Sequence, residues 1–262
     1  MRARMTRWDA LWRGVALIAG IAATPTVTAT EPLTIAVAAN FQETAQQLAR
    51  AFEQETGIRV RLSAASSGKL YTQIVNGAPF DVFLSADSER PAALEKEGGG
   101  VAGTRFTYAT GRLVLWSNDL MLAGRDCKVV LLEGGFKKLA IANPQHAPYG
   151  TAAIAVLEKL GLWPAVRKQL VMGENIAQTL QFVSSASAEV GFVARAQLLS
   201  REVPKGACRW DVPEDMHARI EQQAILLARA KDNPAGSAFL RFLQSPAALR
   251  SIEEHGYGIN TR

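Results

Sequence analysis

From Leu33 onward the apolar positions alternate between two rhythms. Leu33 to Ala39 is an almost unbroken apolar run, which predicts a strand buried on both faces of a parallel sheet. After it, Phe41, Ala45, Leu48, Ala49 and Phe52 recur at helical spacing, with Gly57 as a stop. The two-step recurs: a strand over Ile58 to Leu62, a helix carrying Leu70, Ile74 and Val75, a strand over Asp81 to Ser85, and a helix capped by Asp87 that ends at Gly98-Gly99-Gly100. Arg105 to Ser117 is a longer β-favouring stretch with Phe106, Tyr108, Leu113, Leu115 and Trp116, suited to running from one lobe into another. Strands follow at Leu139 to Ala142, Gln169 to Met172 and Glu189 to Val193, with helices through Ile154, Val156, Leu157 and Leu160 and from Ile176. Val203 to Pro213 is looser and rich in Pro and Gly. Ile220 to Ala228 predicts a return crossing, and helices over Ala235 to Gln244 and Pro246 to His255 end the chain. This alternation reads as α/β: two lobes, each a mostly parallel sheet flanked by helices. Residues 30–110 plus 222–262 form a discontinuous lobe 1, and residues 111–221 a continuous lobe 2.

Ahead of Leu33 the pattern changes. Arg2, Arg4, Arg7 and Arg13 precede the apolar run Val15 to Ala23 and small residues around Thr24 to Ala29, the layout of a secretory signal peptide over residues 1–29. The run is too short to span a membrane, and no cysteine near the cleavage point accepts a lipid, so the mature chain is expected to be exported and soluble. Losing four arginines and one aspartate lowers the formal net charge from +5 to +2. Without a basic patch, a nucleic-acid partner has no support. The two cysteines, Cys127 and Cys208, can pair in an oxidising compartment; two free buried thiols remain the alternative, since sequence does not show how closely the chain brings them together.

The candidate chemistry lies in four turns of one design, each an apolar strand, a short polar or small-residue turn and a helix start. They are Ala39-Asn40-Phe41, Ser66-Ser67-Gly68, Pro148-Tyr149-Gly150 and Glu174-Asn175-Ile176. In a doubly wound sheet such turns gather at the carboxyl edge of the strands. Two per lobe would line a cleft with helix N-termini on both sides, where backbone N–H groups lack partners and each helix contributes about half a positive charge. Such a cleft suits a small oxyanion held by backbone N–H groups, the Ser67 hydroxyl, the Asn40 amide and the Tyr149 hydroxyl without a formal countercharge. No arginine lies in the four turns, and Lys69 beside the second is the type of cation that usually points to solvent.

In these residues the chain resembles periplasmic molybdate-binding proteins of ABC transporters. The resemblance is carried by Ala38-Ala39-Asn40-Phe41, Ser66-Ser67-Gly68 with Gln73-Ile74 and Gly77-Ala78-Pro79, Asp81 to Asp87, Asn143 to Gly150, and Gly191-Phe192-Val193, and it spans about Leu33 to Gly258. It implies a two-lobed, type II-like binding protein, a monomer, that closes on one molybdate or tungstate in the interlobe cleft and delivers it to a membrane permease. The implied donors are Asn40, Ser67, Tyr149 and the backbone N–H of Ile176, with Ala39 offering its backbone at most. Molybdenum would be bound only as its oxyanion, with no protein atom on the metal and no cofactor. Many family members have serine where Asn40 stands, and some have a tyrosine where Ala194 stands; the Asn40 and Tyr149 pair looks like a variant in which the third turn supplies the tyrosine.

Rival readings are weaker. Ser66-Ser67-Gly68-Lys69 fits the Ser-x-x-Lys pattern of acyl-transfer serines, but no Ser-Asp-Asn, Lys-Thr-Gly or Gly-x-Ser-x-Gly run accompanies it. His146, His217 and His255 are too scattered for a metal site or a nucleophile's base. Ferric ion would want more than Tyr149. Sulfate, another fully deprotonated dianion, is the remaining alternative.

Overall fold

The computed structural model describes residues 31–199, 203 and 205–259; the expected signal peptide lies outside them. Strand β1 (Leu33–Ala38) follows the first apolar run, and helix α1 (Gln42–Thr56) turns Thr44, Ala45, Leu48, Ala49 and Phe52 inward. Gly57 ends it in the left-handed conformation, φ 71°, a geometry that a residue with a Cβ adopts at a cost. Strand β2 (Val60–Ala65) starts and ends later than its apolar residues suggest. Ile58 and Arg59 are used in leaving the helix, the Ile58 N–H bonding to Thr56 Oγ1, and pairing with β1 carries the strand through three small residues to Ala65.

Helix α2 (Ser67–Val75), β3 (Val82–Leu84) and α3 (Glu89–Lys96) follow. Asp87 stands one residue ahead of the Ser88 cap of α3, where its Oδ1 accepts the Arg90 N–H. The long β-favouring stretch is two strands, β4 (Phe106–Gly111) and β5 (Leu113–Ser117), which belong to different sheets. Only Arg112 separates them. Then come α4 (Cys127–Glu133), β6 (Leu139–Ala142), α5 (Pro148–Lys159), α6 (Trp163–Val166), β7 (Leu170–Gly173), α7 (Ile176–Ser184), β8 (Val190–Ala194), β9 (Cys208–Asp211), β10 (Ile220–Leu226), α8 (Pro234–Leu243) and α9 (Pro246–Glu254).

The sheets are ordered β2-β1-β3-β10-β4 and β7-β6-β8-β5-β9. Each has three neighbouring strands in parallel, then one strand antiparallel to both its neighbours. The reversed strand is in each case the one by which the chain arrives from the other sheet. The outward crossing falls at Arg112 and the return between Asp211 and Ile220, against expected lobe limits of 110 and 222. Leu33, Ile35, Val37, Phe41, Phe52 and Phe239 anchor the first core, with Phe52 and Phe239 edge to face at 5.3 Å. The second core collects Leu113, Leu115, Leu139, Ile141, Val156 and Phe192, and it also takes in Ala38, Ala39 and Ala86 from the first lobe. These alanines let the two lobes approach each other closely at the carboxyl edge of the parallel strands.

Cys127, the first residue of α4, and Cys208, the first of edge strand β9, are joined by a disulfide with Cα atoms 5.3 Å apart. The two residues are 81 apart in sequence, so the chain-entropy model assigns the bond about 4.5 kcal/mol. Reduction should lower the unfolding free energy by about that much, read from denaturant melts with and without reductant; a loss below about 1 kcal/mol would show that the reduced unfolded chain is already constrained. Among the described residues no helix is long and apolar enough to cross a membrane.

Candidate functional site: an amide-lined chamber between the lobes

The four strand-to-helix turns meet. Ala38, Ala39, Asn40, Ser66, Ser67 and Ala86 from the first lobe and Ala147, Pro148, Tyr149, Asn175 and Ile176 from the second line one small chamber with about 10 Å³ of free space. All five residues expected to hold the ligand, Ala39, Asn40, Ser67, Tyr149 and Ile176, are on its wall and are buried. No lining residue carries a charged side chain.

Each turn presents backbone donors because of how its helix starts. Asn175 caps α7 with its side chain, accepting the N–H groups of Ala177 and Gln178, which leaves the N–H of Ile176, the first helical residue. Ala147 precedes α5 and has no side chain able to cap, Pro148 has no N–H, and the N–H of Tyr149 is the first on offer. Ser67 opens α2, and Asn40 lies in a short 3-10 turn between β1 and α1. None of these four N–H groups is given to an acceptor among the described residues. The Ser67 Oγ accepts the Ala86 N–H at 2.9 Å, so the hydroxyl proton is directed elsewhere.

The expectation that the Asn40 amide faces a ligand needs correction. Its Nδ2 donates to Gln222 Oε1 at 2.9 Å and to Tyr257 Oη at 3.3 Å, so both amide protons are committed inside the protein. The first turn is left with its backbone N–H. Tyr149 keeps more: its hydroxyl oxygen accepts from Gln222 Nε2 at 3.3 Å, and its proton has no acceptor among the described residues. Burial pushes the ionisation of Tyr108, Tyr149 and Tyr257 well above the usual tyrosine range, so these hydroxyls remain protonated donors.

Gln222 is the residue that sequence reasoning missed. It is fully buried on β10, accepts from both Asn40 and the Tyr108 hydroxyl (3.1 Å), and donates to Tyr149 in the other lobe. A bulge in the β10–β4 pairing, where Gln222 faces Ala109 but Gln223 faces Thr107, leaves Tyr108 as the extra residue. Bulges re-aim side chains in this way beside functional sites. The available signal was Gln222-Gln223 in the middle of a run otherwise ready to be a buried strand.

The two lobes touch at the chamber's rim. The Gly68 N–H donates to the His146 carbonyl at 2.9 Å. A Cβ at position 68 would lie 2.9 Å from His146 Cα and 3.1 Å from its carbonyl oxygen, so only glycine permits this approach. Lys69 does not line the chamber; it pairs with Glu174 across the cleft at 2.8 Å, and its hydrogen bond and then its charge hold the Glu174 carboxyl below the usual range. A larger cavity of about 560 Å³ lies beyond Ala39 and Asn40, against α1 and Gln197, and is lined by Glu43, Arg50 and several glutamines. Its charged and glutamine side chains set it apart from the uncharged chamber with its unmatched amides.

Comparison with known proteins agrees with this architecture. The model of the family "Bacterial extracellular solute-binding protein" matches residues 33–258. The molybdate-binding protein ModA of Azotobacter vinelandii is 48% identical over 225 residues, 86% of this chain and 89% of that one. ModA of Rhodobacter capsulatus is 45% identical over 222 residues, 85% and 86% of the two chains. Among solved structures, the periplasmic molybdate-binding protein of Azotobacter vinelandii superposes with a TM-score of 0.83, covering 87% of this chain and all of that one at 37% identity. With this fold and these relatives, the chain belongs to the bacterial extracellular solute-binding proteins, within the group that includes the molybdate-binding proteins ModA.

Proposed function

We propose that this chain is an extracytoplasmic binding protein that captures molybdate, and tungstate as its near analogue, and delivers it to an ABC permease. The observation that carries the reading is the set of four unmatched amides, two from each lobe, in a chamber with no charged side chain. A fully deprotonated tetrahedral dianion accepts from several donors at once and needs no acceptor in return. Donors to an ion held away from water are strong, and helix termini supply positive potential without a side chain. Asn40, Tyr149 and Ile176 would donate through backbone N–H groups, Ser67 through both N–H and hydroxyl, and Tyr149 also through its hydroxyl; Ala39 would contribute wall. Molybdenum enters as the oxyanion, without protein ligands on the metal, and no cofactor is needed.

The protein is a binder rather than a catalyst in this reading. Ser67 Oγ meets a backbone N–H instead of a base, and Lys69 is engaged by Glu174. The Arg-rich, apolar start of the chain supports export to the periplasm, and we read the exported form as a monomer.

Thermal melts with molybdate, tungstate, sulfate and phosphate test the assignment. Ligand at a thousandfold excess over Kd should add about 4 kcal/mol to the stability, with clear upward shifts for molybdate and tungstate. A shift with sulfate and none with molybdate would replace this reading with its alternative, a sulfate-binding protein.

A further inference from the structure

Ser66 stands beside Ser67 on the chamber wall. It is 3% exposed, and its Oγ is one of two buried side-chain polar atoms among the described residues without a hydrogen-bond partner. The other, Thr110 Oγ1, belongs to a residue that does not line the chamber. A buried hydroxyl without a partner is a cost that folded chains rarely carry.

The ordinary use of Ser66 would be as the N-cap of α2, its Oγ accepting an N–H of the first turn. It occupies the N-cap position with extended backbone, φ −66° and ψ 147°, yet makes no capping bond. One of the protons it would take, that of Gly68, goes across the cleft to the His146 carbonyl. With the lobes together, Ser66, a residue of the chamber wall, is left with a buried hydroxyl that has no partner, next to the unmatched N–H of Ser67.

We infer that Ser66 is a further donor to the bound oxyanion, its hydroxyl giving a hydrogen bond to an oxygen of the same tetrahedron that Ser67 holds. The inference rests on the oxyanion reading above and extends its donor set. It makes the second turn a double-hydroxyl clamp.

The two roles of Ser66 predict different readouts for a simple substitution. A residue that serves only as a cap lowers the stability of the protein when it is lost in Ser66→Ala and leaves the affinity alone. A donor to the bound oxyanion takes its effect in the affinity. Titration calorimetry with sodium molybdate on the wild type, Ser66→Ala and Ser66→Cys, together with ligand-free melts, separates them. The expected result is a Kd raised about tenfold or more in Ser66→Ala, in the range for a hydrogen bond to a charged group. Ser66→Cys, which keeps a side-chain atom in place but donates weakly, should be impaired similarly. Unchanged affinity in Ser66→Ala overturns the inference, and so does a lowered ligand-free melting temperature with affinity retained, which would assign Ser66 to capping. A wild type that binds none of molybdate, tungstate and sulfate overturns the oxyanion reading as well, so the two failures are distinguishable.

Discussion

Gln222→Leu is expected to lower the unfolding free energy by at least about 3 kcal/mol, a large share of the 5–15 kcal/mol typical of a folded domain, and to weaken oxyanion binding with it. Leucine fills much of the same volume but removes the acceptor of Asn40 Nδ2 and Tyr108 Oη and the donor to Tyr149 Oη. Each group left short in a dry interior costs about 1–3 kcal/mol. Tyr108 retains the Ser85 carbonyl and Asn40 retains Tyr257, which keeps the total below the simple sum. Gln222→Glu sharpens the test. It preserves the acceptors, removes the donor, and places a carboxylate one hydrogen bond from two chamber residues, so dianion affinity should fall further than stability does. Chemical denaturation gives the first number and calorimetric titration the second. A Gln222→Leu protein within about 1 kcal/mol of the wild type would mean that the buried network contributes little.

Gly68→Ala should weaken binding about tenfold to a hundredfold while leaving the ligand-free protein at least as stable. The new methyl group meets the backbone of His146 at 2.9 Å, an overpacking of the kind that costs about 1–3 kcal/mol, and the obstruction exists only when the lobes are together. In separated lobes it faces solvent, and alanine suits a helix better than glycine does. Comparing molybdate titrations with ligand-free melts reads both halves of the prediction. Undiminished affinity would show that the liganded lobes stand farther apart at this rim than they do here.

Much of the fold was legible because the burial of most segments is settled locally. β1 is apolar but for Thr34 and β8 is apolar throughout, α1 and α8 keep a helical stripe, and the four turns announce themselves by small and polar residues between the two rhythms. Three elements were not legible, the one-turn helix α6 among them. α4, and β9 within what reads as a loose Pro/Gly stretch, exist because of partners far away in sequence: among the described residues β9 pairs only with β5, at the sheet edge, and it is tied to α4 through Cys208. At the site, the residues on the wall could be named from sequence, but which of their atoms remain available could not. Asn40 lost its amide to a glutamine 182 positions away, and Ser66 differs from Ser67 only in what lies within reach of each hydroxyl. Gln222 itself escaped notice since a polar residue in a strand pattern reads as a solvent-facing position until the second face is known to be covered.

The placement of β10 also governs the order in which the molecule can be assembled. In the first sheet it lies between β3 and β4, which do not pair with each other, so residues 33–111 cannot close their sheet until residues 220–226 have been delivered. The second sheet draws all its strands from residues 113–211 and can be completed as soon as that length of chain is free. Long-range strand insertion is slow compared with local pairing. The half of the protein that emerges first is therefore the half that finishes folding last, with the gap between β3 and β4 open in the meantime.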